Sequence, residues 1–170
     1  VRVNNDHEHV SFLGTGTFEL GDHELQPTLL FDGGESGMPG PSEFQEQFEH
    51  ARMTSQRVIG QLHWSTRGIA QGAWGVTDAD ASIGYQVRDV HYSNTEAFPG
   101  DTTVDDHTRH DSLSVQASTH TWFSVGDMLH ASVQARREHY ASRHEQSTRQ
   151  SRLEVARYTA APSLSNELLL

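Results

Sequence analysis

The 170-residue chain has no cysteine and no lysine, and each absence removes a class of function. Without cysteine there are no disulfides, no thiolate nucleophile and no thiolate metal site, and the redox compartment stays open. All 12 basic residues are arginines, set against 23 acidic residues for a net charge of −11. A chain this acidic, with no basic cluster, is a poor partner for nucleic acid, whose phosphates must be neutralised. Long apolar runs are also missing, so no helix can supply the ~20 apolar residues that cross a bilayer. The length suits one domain. The chain opens at Val1 with no leader-like segment and stops in mid-pattern at Leu168-Leu169-Leu170, which reads as a piece of a longer protein.

What the sequence does have is alternation. Val10, Phe12, Gly14, Gly16, Phe18 and Leu20 share one parity, with polar residues mostly between them. Leu25 to Phe31, Val58 to Trp64, Ala79 to Val87 and Leu113 to Ala117 repeat the pattern, and Leu129, Ala131, Val133 and Ala135 give its clearest instance. A seventh run, Leu153 to Ala160, is weaker because Arg157 interrupts its phase. A period of two gives each strand one apolar and one polar face. The expected class is all-β: an antiparallel up-and-down sheet of about seven strands.

The connections differ in kind. Gly21-Asp22 and Gly126-Asp127 mark tight turns, whereas Asp32–Thr54, Asn94–His110 and Ser142–Gln150 read as long polar loops. The stretch Thr66–Asp78 is intermediate. Counting along the chain puts the tight turns at one end of the sheet and the loops at the other, as in transmembrane barrels with short periplasmic turns and longer external loops. Phe31, Tyr92 and Tyr140 stand near the loop end and Trp64, Trp122 and Phe123 near the turn end, where two interfacial aromatic belts would lie. The whole of 1–170 is therefore expected to be a single partial segment of a large transmembrane β-barrel.

The run Leu29-Leu30-Phe31-Asp32-Gly33-Gly34-Glu35-Ser36-Gly37-Met38-Pro39-Gly40-Pro41 resembles TonB-dependent outer-membrane receptors, in which an upward strand ends in an apolar-aromatic step and a Gly-x-Pro-Gly loop. The re-entry Ala51-Arg52-Met53-Thr54-Ser55-Gln56-Arg57 is similar, as are Arg2-Val3-Asn4-Asn5-Asp6 and Tyr92-Ser93-Asn94. The resemblance implies roughly a third of a 22-stranded barrel. It implies a plug and a segment contacting a TonB-type energising protein outside this chain, and an outer-membrane location. The implied role is capture and import of a scarce solute, of siderophore, metal-chelate or cobalamin type. Other readings from the residues are a porin-like passive channel and a soluble β-sandwich binding module.

Candidate ligand-binding residues fall in the expected external loops. Phe44 and Phe48 stand four apart in Glu43–Glu49, a spacing that suits a short loop helix. They could offer an aromatic contact to a solute or simply pin their own loop. Asp105-Asp106-His107-Thr108-Arg109-His110-Asp111 gathers imidazoles and carboxylates, and Asp105, His107 and His110 are the candidates there. Imidazole and carboxylate suit zinc, nickel or copper, but Arg109 sits among them and a loop seldom fixes a full ligand set, so no metal is assigned. Asp6-His7-Glu8-His9 is treated likewise. Gly14-x-Gly16 lies inside a strand and lacks the third glycine and the helix of a nucleotide loop. Arg136-Arg137-Glu138 reads as a charge set at a strand end. No nucleophile elbow is present, so no catalytic residue, cofactor or enzymatic activity is expected.

Overall fold

In the computed structural model, residues 6–38, 51–70, 75–94, 103–124, 127–146 and 149–168 are described. They form one antiparallel sheet: β1 (His7–Thr15), β2 (Phe18–Leu20), β3 (His23–Gly37), β4 (Arg52–Ala70), β5 (Val76–Asn94), β6 (Val104–Ser124), β7 (Asp127–Gln146) and β8 (Arg149–Leu168). The spatial order is β1-β3-β4-β5-β6-β7-β8, with β2 also on β3. β1 and β2 are one strand in a single register, Thr15 opposite Thr28 and Phe18 opposite Leu25. The break falls where Gly16 N–H donates to the Pro27 carbonyl at 3.1 Å and proline has no N–H to return. The all-β, up-and-down expectation of about seven strands is thus met. The sheet is not closed, β1 and β8 forming its edges.

Residues opposite one another share a face, so the register sorts every side chain. One row across the sheet runs Leu62–Ile83–Val115–Ala135–Ala160, and the next Phe18–Leu25–Trp64–Ala81–Ala117–Val133–Pro162. The opposite face carries rows such as Gln61–Gly84–Ser114–Arg136–Thr159. Among the described residues, no second layer covers the apolar face. Among the described residues Ala51 is the one buried apolar side chain, while Leu164 is 73%, Leu20 67% and Phe12 57% exposed.

Several boundaries differ from the sequence reading. β4 to β8 are 19, 19, 21, 20 and 20 residues long, about twice the 9–11 that a membrane strand needs. Of the presumed loop Ser142–Gln150, Ser142–Gln146 belongs to β7 and Arg149–Gln150 to β8, which pair as far as Gln146 opposite Arg149. Asp32–Gly37, Arg52–Thr54, Asn94 and Val104–His110, all expected as loop, are strand. Toward the turns, β4 runs past Trp64 through a bulge between Thr66 and Ile69, where Gly68 takes a φ of 69°. The extra residue shifts the phase, so that Ile69, opposite Thr77, joins the face of Trp64. The Gly68 amide donates to Asp78 Oδ1 at 2.8 Å and holds the bulge.

The aromatic belts are only partly realised. Phe31, at one margin of the apolar rows, and Trp64, toward the other, lie on that face. Tyr92 and Tyr140 do not: they stand opposite Asp106 and His110 on the polar face. Arg157 does not break a strand either. It faces Glu138 on the polar side, leaving Ala156, Tyr158, Ala160, Pro162 and Leu164 in phase on the apolar side.

Candidate functional site

Beyond Phe31, Val58 and Val87 the apolar face turns hydrophilic toward the loop end. The rows there are Val10–Gly33–Gln56–Asp89–Arg109–Ala141–Glu154 and Glu8–Glu35–Thr54–His91–His107–Arg143–Arg152. Asp105 and His107, placed in a loop by the sequence reading, are on β6 within this field. Strand alternation sends His110, the third candidate, to the opposite face, between Arg88 and Tyr140. Phe44 and Phe48 lie outside the described residues.

The geometry around His107 comes from a repeated tripeptide. Asp89-Val90-His91 on β5 and Asp105-Asp106-His107 on β6 run antiparallel, with His91 directly opposite His107. Each imidazole therefore falls beside the other strand's carboxylate. His107 Nε2 is 2.7 Å from Asp89 Oδ1, and His91 Nε2 is 3.1 Å from Asp105 Oδ1. The two rings meet edge to face at 6.1 Å. With Thr54, Gln56, Arg143 and Glu145 they line a shallow depression of about 480 Å³. Asp89 and His91 were missed in the sequence, although the second Asp-x-His at the same spacing was a visible signal.

A third imidazole links β6, β7 and β8. His139 Nδ1 lies 3.1 Å from Asp111 and Nε2 3.0 Å from Glu154. Both nitrogens can donate to the two carboxylates at once only in the imidazolium. At the β1–β4 corner Arg52 bonds Asp6 and holds its carboxyl below the usual range. On the polar face His9 pairs with Asp32 at 3.0 Å and His144 bonds Asp106.

These pairs are solvent-accessible, the His91 and Asp105 side chains being 43% and 51% exposed. Ion pairs at such exposure contribute little, so they do not hold the sheet together. What they offer is a dense array of donors and acceptors suited to hydroxyl-rich or ionic groups. Among the described residues no three histidine or carboxylate ligands converge on a metal position. The hydroxyls of Thr15, Thr28, Thr77, Ser114, Ser118, Thr121 and Thr159 bond carbonyls, Asp80 or one another rather than an imidazole. Compared with known proteins, the chain matches no family model, no curated protein and no solved structure.

Proposed function

We propose that the chain is a wall segment of an outer-membrane β-barrel, from a receptor of the TonB-dependent kind that captures a scarce solute at the cell surface. The observation that supports this most is the apolar face: among the described residues it is one side of a single sheet, with no protein layer over its apolar rows. At about 3.4 Å per residue, the stretch from Val87 to Ala79 runs ~27 Å, and a strand tilt near 40° makes it ~20 Å tall. That approaches the ~25 Å apolar band of outer-membrane barrels. The opposite face, lined by Gln61, Gln86, Gln116, Gln134 and Arg136, suits a wet lumen. Closure by further strands would remove the two edges, which lipid does not tolerate.

The receptor reading over a passive channel rests on strand height. About a third of each long strand stands beyond the apolar rows on the loop side, giving an external vestibule rather than a simple pore. Solute of siderophore, metal-chelate or cobalamin type would meet that vestibule. A TonB-type protein would act through parts outside this chain, and passage makes no covalent bond. The test is folding with and without amphiphile, read by circular dichroism and size-exclusion chromatography. The expected result is aggregation of residues 1–170 in water, and cooperative β structure only when the closed barrel that contains them is placed in detergent micelles or vesicles. A soluble monomer that melts cooperatively in water contradicts the proposal.

A further inference from the structure

A groove on the apolar face crosses β6, β7 and β8, and it is unlike the rest of that face. Its floor is Ala135 opposite Ala160, two methyl side chains in one row, with Val115 completing the row on β6. The next row toward the loops carries Leu113, Arg137 and Tyr158. Small residues between larger ones leave a predominantly apolar trough of about 420 Å³. Arg137 closes its loop-side end.

Arg137 is exposed and, among the described residues, has no carboxylate partner. Three arginines near it do: Arg136 pairs with Glu138 at 2.8 Å, Arg152 with Glu154 at 3.1 Å, and Arg143 with Glu145. The carboxylates one row farther toward the loops do not compensate it either, since Asp111 is engaged by His139. An unpaired guanidinium at the end of an apolar trough is complementary to an anion attached to a hydrocarbon chain. Arginine's planar fork binds phosphate through two parallel hydrogen bonds, and its aliphatic stem can lie along apolar surface while the head stays hydrated.

We infer that this groove binds one phosphate-bearing diacyl lipid, with an acyl chain on the Ala135–Ala160 floor and the phosphate on Arg137. The inference rests on the reading of this face as membrane-facing. The phosphate, rather than the chain, supplies the selectivity, because hydrocarbon meets the whole apolar face while Arg137 stands at one place on it.

The test uses the closed barrel that contains this chain, folded in mixed micelles, and native mass spectrometry of retained lipid, with phosphatidic acid and diacylglycerol of identical chains as probes. The native chain is expected to retain phosphatidic acid in preference to diacylglycerol. Arg137→Gln should weaken that retention about tenfold, the size of one charge-assisted contact, and Arg137→Lys should restore part of it. Ala135→Phe fills the trough and should reduce retention of both lipids. Equal retention of the two probes by the native chain, or no change in Arg137→Gln, overturns the lipid site while leaving the membrane reading intact. A native chain with no cooperative β structure in micelles overturns the membrane reading, and the site with it.

Discussion

Arginine at Val133 is expected to cost about 2–4 kcal/mol of barrel stability, whereas arginine one residue later, at Gln134, should be tolerated. Val133 lies mid-strand between Ala117 and Pro162 on the apolar face and is 48% exposed. If lipid surrounds that face, a guanidinium there must leave water, and no carboxylate stands in its row. Gln134 is opposite Gln116 and Ala161 on the face that would line a wet lumen. The two substitutions add the same side chain to the same strand, so backbone propensity nearly cancels between them. Denaturant titration from lipid vesicles measures the difference, and equal tolerance of both changes would contradict a lipid-facing Val133.

The second large effect is expected at Gly75. Its φ is 98°, and a Cβ added there would overlap the carbonyl oxygen of Trp122 on β6. The obstruction is backbone, so no side-chain rotation relieves it. Gly75→Ala carries about 1–3 kcal/mol of conformational strain. Relieving the overlap must also push β6 away from β5 where Val76 pairs with Trp122. Gly60→Ala is the control: it lies in β4 with no heavy atom within 4 Å of the added Cβ. Alanine there should be neutral or stabilising by roughly 0.4–1 kcal/mol, through lower entropy of the unfolded chain. Thermal melts of both variants under folding conditions test the contrast, and comparable loss at the two positions would count against it.

Legibility of the fold follows the physical contrast between the two faces. Where one face is apolar and the other wet, as in Leu129 to Ala135, alternation gives strand, face and phase directly. Toward the loop end both faces are hydrophilic and the period-two signal vanishes. Asp105 to Asp111 therefore reads as a polar loop although it is strand β6, and the junction near Gln146 and Arg149 was hidden for the same reason. The bulge at Gly68 was invisible too, since a phase change in one short stretch, Ile69 after Trp64, looks like loss of pattern. At the candidate site, residue types identified Asp105 and His107, but only the register could reveal that His91 faces His107 and that His110 points the other way. With the register known, the two Asp-x-His tripeptides account for the whole crossed arrangement.

The absence of cysteine makes the most direct test of the central claim a clean one. Single cysteines placed in turn at positions 129 to 136 and labelled with a polarity-sensitive dye, in the closed barrel that contains this chain folded into vesicles, report the surroundings of each β7 residue. The account predicts a period of two: hydrocarbon at Leu129, Ala131, Val133 and Ala135, and water at His130, Ser132, Gln134 and Arg136. Water at all eight positions would contradict a membrane wall, whatever the sheet's own pattern of faces.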